Sequence, residues 1–291
     1  MAASATPNMV SGMYNMWVAM RDSNGYPVGS NPTPNTKVNG TVYNAYRVPY
    51  TVTYTPPQEQ FDTADERYGQ QMGLKRDLGV SSLGVGTIEL SRFDEQLWAL
   101  IKKTAVDVST NTEIAAVSHN AGQGLGPDMI LGLSIGADND AGGSQFYTTV
   151  FHKCTLKGRM PGSKQDGGTN QNPTTFDIVP SRSIRTGSGR LFSATGLQVV
   201  DNSDDFTMYR HPYQLYLSTF VKDGVLTTFK PQFLPVYNDV TGTGHNSFTN
   251  NGVTAAVTSF STTTGIVTNT AAGVAGDIEI AFYPTAYVLS P

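Results

Sequence analysis

In EQLWALIKKTA (95–105), apolar residues recur at helical spacing, and this is the one helix that the chain's 291 residues predict. Leu97, Leu100, Ile101 and Ala105 form a single stripe. Asp94 stands before it as an N-cap, and Lys102 and Lys103 fall in its last turns, where cations suit the helix dipole. The helix is expected over about 94–106. A chain of this length with one helix must build its core from strands.

The rest of the sequence agrees. MYNMWVAM (13–20), AYRVPYTVTYT (45–55), GTIELSRF (86–93) and MILGLSIGA (129–137) read as strands. In GTIELSRF, Ile88 and Leu90 alternate with Thr87, Glu89 and Ser91, which is the period of a half-buried strand. Pro49 marks an edge or a bulge, because proline cannot donate to a ladder. SQFYTTVFHKCTLKG (144–158) and TTFDIVPSRSI (174–184) read as a long hairpin around a polar tip. The stretch 211–233 reads as a second hairpin turning at Lys222-Asp223-Gly224. In DIEIAF (277–282), Ile278, Ile280 and Phe282 alternate with Glu279 and Ala281. The polar stretches 27–40 and 56–71 read as loops, the second with room for one helical turn. Only 14% of residues are charged, against about 25% in an average soluble domain; Gly, Thr, Ser and Asn supply the remaining polarity. The expected class is mainly β.

Several functions are disfavoured. Net charge is −4, and the basic runs LKR (74–76) and IKK (101–103) are short, so no nucleic-acid-binding face is expected. Cys154 is the single cysteine, which rules out an intrachain disulfide and fits a reducing compartment. The first residues lack the pattern of a signal peptide, and no run of about 18 apolar residues exists.

Chemical motifs fare no better. GLKRDLGVSSLGVGTIELSRFDEQLWALI (73–101) contains Gly73, Gly79, Gly84 and Gly86, but a strand rather than a helix follows them. A phosphate-cradling loop needs the helix N-terminus there. His119, His152, His211 and His245 show no metal-ligand spacing, and Asp138 with Asp140 lack the closing Glu of a calcium loop. His152 and Cys154 stand two apart on one strand, read as a buried thiol beside a half-buried imidazole rather than a nucleophilic pair. Carboxylates abound at Asp62, Asp65, Glu66, Glu89, Asp94 and Glu95, but spacing alone does not pair them for glycoside cleavage. DNSDD (201–205) reads as a solvated loop. Tyr209, Tyr213 and Tyr216 keep a sugar-stacking role open. No catalytic, metal or cofactor-binding residue is assigned.

The order of elements carries a resemblance. LGVSSLGVGTIELSRFD (78–94), the following LWALI (97–101) and GDIEIAFYPT (276–285) resemble the major tail (tail tube) protein of long-tailed bacteriophages, best over about residues 10–185. The resemblance implies a β-sandwich or barrel with one flanking helix and long hairpin arms. It implies a tail-tube domain over 1–205, with 206–291 supplying completing strands or a small extra β domain. Six copies would form a ring, and rings would stack into a tube for the genome. The implied partners are other copies of the chain, a tape-measure protein, and tail-tip or terminator proteins. DNA would pass without specific binding, and no membrane, cofactor or enzymatic activity is implied. The place is the virion tail, assembled in the host cytoplasm. On this reading Arg67, Lys75, Arg76, Asp77, Arg92 and Lys164 are candidate subunit contacts. Asp62, Asp65, Glu66 and Glu89 are candidate lumen-wall residues, where acidic or neutral walls would let phosphates slide. The tip 161–173 and the loop 74–84 are the expected inter-ring contacts. The alternatives are another phage virion β-protein, in a capsid decoration or tail tip, and a carbohydrate-binding or hydrolytic β-sandwich.

Overall fold

The computed structural model describes residues 9–21, 27–29, 42–48, 51–68, 71–102, 106–108, 114–117, 126–138, 144–158, 164–166, 169–171, 174–181, 206–221, 228–240, 245–250, 253–269 and 277–285. In chain order the strands begin with β1 (Met9–Arg21), β2 (Pro27–Gly29), β3 (Val42–Asn44), β4 (Tyr46–Val48), β5 (Thr51–Thr55), β6 (Glu59–Tyr68), β7 (Gln71–Leu83) and β8 (Gly86–Leu90). The helix α1 (Glu95–Lys102) follows, then β9 (Val106–Val108), β10 (Ile114–Val117), β11 (Asp128–Asp138), β12 (Ser144–Gly158), β13 (Lys164–Asp166), β14 (Thr169–Gln171) and β15 (Thr174–Pro180). The last are β16 (Phe206–His211), β17 (Tyr216–Val221), β18 (Thr228–Phe229), β19 (Ser247–Asn250), β20 (Val253–Thr254), β21 (Val257–Phe260), β22 (Val267–Asn269) and β23 (Asp277–Phe282). The protein is mainly β with antiparallel pairing throughout the described sheets.

The largest sheet runs β2-β1-β11-β12-β15-β8-β5. It does not stay open. β4, two residues before β5 in the chain, pairs back onto β1, with Met16 opposite Val48. The strands β1, β11, β12, β15, β8 and the β4–β5 pair therefore close a barrel. Pro49 itself lies outside the described residues.

Alternation decides what fills that barrel. Met16, Val18 and Met20 of β1 point inward, where they meet Met129, Leu131 and Leu133 of β11, Ile88 and Leu90 of β8, and Phe176 and Ile178 of β15. All are buried, so the barrel is a packed core and not a pore. α1 closes one side with Leu97, Trp98, Leu100 and Ile101. Its start is fixed as expected: the Leu97 N–H donates to Asp94 Oδ1 at 2.9 Å. It ends at Lys102 and β9 begins at Val106, so it is shorter than the expected 94–106; Ala105 lies outside the described residues.

The outward face of β1 carries Trp17 and Ala19, which join Ile130, Val150 and the C-terminal strands in a second core. There a five-stranded sheet, β20-β19-β23-β17-β3, packs with a three-stranded one, β18-β22-β21. Trp17 is the link. Its ring lies over Gly132, where a Cβ would come within 2.1 Å of the indole, and its Nε1–H donates to the Leu215 carbonyl at 2.8 Å. Residues on both sides of position 205 share sheets as well as this core. β16 pairs with β12, and β17 pairs with β3.

Four expectations need correction. Among its described residues the stretch 56–71 holds no helical turn; β6 occupies most of it and pairs with β7, so the expected loop 74–84 is largely strand. The strand 144–158 is no projecting arm. β12 lies inside the sheet, where β15 pairs only with Cys154–Gly158 and β16 takes the Phe146–Phe151 half. The stretch 211–233 is not a hairpin, because β17 and β18 belong to different sheets; the supposed turn at 222–224 lies outside the described residues. The Cys154 thiol is buried as expected, but His152 is buried too rather than half-buried, and the two do not sit side by side. A register shift opposite Met129–Leu131 puts Phe151 and Cys154 in the same core three residues apart. The Cys154 thiol faces the Met129 carbonyl at 3.6 Å, burial pushes its pKa far up, and buried His152 meets the Thr207 hydroxyl at 2.9 Å.

Candidate assembly surface

Where β15 leaves β12 and β16 takes over, the sheet has a notch. Tyr54, Pro56 and Pro57 at the end of β5 face it from one side, with Leu83 at the root of the β6–β7 hairpin. Ile135, Thr149, Phe151, Phe206 and Met208 line the rest of an apolar groove of about 370 Å³. Pairing explains the lining. Thr149 sits opposite Leu133 and Met208, and Phe151 opposite Leu131 and Phe206, so all of these share the barrel-facing side. Inside the barrel that face is covered; beyond its mouth it is open. Phe206 and Met208 are 41% and 55% exposed. Among the described strands β16 pairs with β12 alone.

Beside the groove the β6–β7 hairpin leaves the barrel. β7 has 13 residues, which at about 3.4 Å per residue reaches roughly 40 Å. Its strands pair with each other and with no other described strand. Such a two-stranded ribbon is at best marginally stable in water without further packing.

Most of the residues singled out in the sequence meet on this hairpin. Asp62, Asp65, Glu66 and Arg67 are in β6, and Lys75, Arg76 and Asp77 are in β7. Asp65 stands opposite Lys75, Ala64 opposite Arg76 and Thr63 opposite Asp77. The expected wall and contact groups are thus interleaved on one ribbon. Glu89 is elsewhere, on the exposed face of β8, and Arg92 is exposed just after that strand. Lys164 is in β13, opposite Gln171 in a separate small hairpin. Asp140 and DNSDD (201–205) lie outside the described residues.

Sequence reasoning missed Phe206 and Met208. In FTMYRH both faces carry an aromatic or long side chain, so no polarity alternation marks the strand. The sugar-stacking trio also separates. Tyr209 and Tyr216 are buried, Tyr216 donating to the Ala45 carbonyl and to Gln232, and only Tyr213 is exposed. Among the described residues no group of three His, Cys, Asp or Glu side chains could hold a metal ion. No helix of the described residues is long and apolar enough to cross a membrane. No protein-family model matches the chain, and no curated protein matches it either.

Proposed function

We propose that this chain is a structural subunit that assembles with copies of itself, as a tail-tube protein of a long-tailed bacteriophage does. The observation that carries the reading is the groove mouth: Phe206 and Met208 stand exposed on a strand that pairs with β12 alone among the described strands, beside a long hairpin with no partner of its own among them. Exposed apolar side chains lining a groove are an aggregation hazard in a monomer and a contact in an assembly. Head-to-tail repetition of such a contact closes a ring when its rotation closes. The lumen would then lie between copies, since each barrel is filled. A tape-measure protein and tail-tip or terminator proteins would be its partners, and DNA would pass through without specific binding. The buried positions of Tyr209 and Tyr216 argue against the sugar-binding alternative.

Electron microscopy of the purified chain tests this. Rings with a central hole, or tubes of uniform diameter, are expected. A chain that stays monomeric at high concentration and binds polysaccharide overturns the reading.

A further inference from the structure

At the far end of β16 from the groove, four segments meet around two imidazoles. His211 ends β16, Tyr213 is in the following turn, Tyr237 and Asp239 come before β19, His245 is beside β19, and Tyr283 follows β23. His211 stacks on Tyr283 with ring centroids 3.7 Å apart, and His245 stacks on Tyr237 at 3.8 Å. The two stacks touch, with the imidazoles 5.7 Å apart. Asn246 pins the loop beneath them, donating from Nδ2 to the Tyr237 carbonyl at 2.8 Å and from its backbone N–H to Asp239 Oδ2 at 3.2 Å.

The hydrogen bonds specify a neutral His211. The Tyr213 N–H donates to His211 Nδ1 at 3.0 Å, so that nitrogen holds no proton. The ring proton is then on Nε2, which faces the Tyr237 hydroxyl at 3.5 Å. A second proton would set an N–H against an N–H at Nδ1. It would also place a cation beside the His245 ring. The surroundings offer little compensation. Among the described residues of the cluster Asp239 is the one carboxylate, and its Oδ1 faces His245 Nδ1 at 3.8 Å. Arg210, the neighbour on β16, lies near Gln145 and Tyr147 of β12. Tyr213, Tyr237 and Tyr283 complete the titratable groups. The Tyr283 face would attract an imidazolium, and burial and the facing Tyr213 N–H oppose one. Burial, and after it the His245 ring, accordingly pull the His211 imidazole down to about 4.

We propose that this cluster is an acid-released clasp: neutral His211 ties the end of β16 and the Tyr213 turn to Tyr237, His245 and Tyr283, and protonation of His211 lets them part. The sign follows from linkage. A histidine whose folded pKa lies below its unfolded value stabilises the closed form fully above the unfolded value. That stabilisation is lost as pH falls through the window between the two. The clasp is therefore closed at neutral pH and weakens in mild acid. It stands independently of the assembly reading.

Hydrogen–deuterium exchange of the full chain at about pH 7 and about pH 5, corrected for intrinsic rates, tests it. Protection at 207–216, 234–240 and 245–246 is expected to fall about tenfold at the lower pH, a figure reduced for the partial exposure of His211. In His211→Asn, whose Oδ1 can still accept the Tyr213 N–H without titrating, the pH dependence should vanish. Equal protection of the wild type at both pH values, or an equal loss in the variant, overturns the proposal. Should the variant fold poorly, exchange of the imidazole carbon-bound hydrogens in the unaltered chain gives the His211 titration directly. A midpoint at or above the ordinary histidine value overturns the clasp as well.

Discussion

Asp94 carries two jobs, and only one is visible in the sequence. Its cap of α1 is a local pattern of three residues, which spacing alone reveals. The second is to accept the Tyr46 hydroxyl on both carboxylate oxygens, at 3.0 and 2.9 Å, from 48 residues away. No spacing rule reaches that far. Burial raises the Asp94 pKa, and the bonds from Leu97 and Tyr46 oppose the rise without cancelling it. A carboxyl raised in the folded state contributes stability at low pH that is lost as pH rises through its folded value. Asp94→Asn keeps an acceptor for both donors and adds no buried charge. It should stay within about 1 kcal/mol of the wild type at neutral pH, whereas Asp94→Ala should lose about 2–3 kcal/mol by chemical denaturation. Tyr46→Phe, which leaves the cap, should cost about 1 kcal/mol. Gly132 makes a sharper case. A methyl there would overlap the Trp17 ring, so Gly132→Ala should cost about 2–4 kcal/mol and shift tryptophan fluorescence.

Among the elements, alternation fixes faces well and partners poorly. The inward set of β8, Ile88 and Leu90, follows from the sequence. The pairing of β4 with β1, which closes the barrel, does not, because it joins segments that share no turn. β23 shows a further limit. Glu279 alternates with Ile278 and Ile280 like a solvent-facing residue, yet both faces of this strand are covered; Glu279 is buried and meets the Thr249 hydroxyl at 3.3 Å. The groove and hairpin give an element-level test. Phe206→Ser with Met208→Ser removes exposed apolar surface, and of the core it loses the contact of the Phe206 ring with Phe151, 5.8 Å between centroids. It should leave the circular dichroism spectrum unchanged and lower the tendency to assemble at least tenfold, measured by sedimentation. Deleting 74–84 would strip β6 of its partner, so the cleaner cut replaces 61–81 by a short glycine-rich turn. That variant should fold and fail to form tubes. Tubes from both variants would remove the groove and the hairpin from the assembly contacts.

At the scale of the molecule, the question is whether the chain divides near 205. The resemblance to tail-tube proteins is best over about residues 10–185, which invites a boundary there. Packing runs across it. The second core joins Trp17, Ala19, Ile130 and Val150 to Tyr216, Ile280 and Phe282, and β16 completes the sheet beside β12. Each large side chain exposed by removing that partner costs about 1.5–3 kcal/mol, which several such residues raise to the whole stability of a domain. A chain ending at 205 would also leave the Phe146–Phe151 half of β12 without its β16 neighbour. The truncated protein is therefore expected to lose its near-ultraviolet signal, bind a hydrophobic dye and unfold without a sharp transition, while the full chain unfolds in one step. Adding 206–291 in trans should restore little, because β3 and β17 form neighbouring strands of one sheet and their pairing depends on a single chain bringing them together. A cooperative transition in the 1–205 piece, with the dye excluded, would mean that the barrel core suffices and that the C-terminal strands are an addition to it.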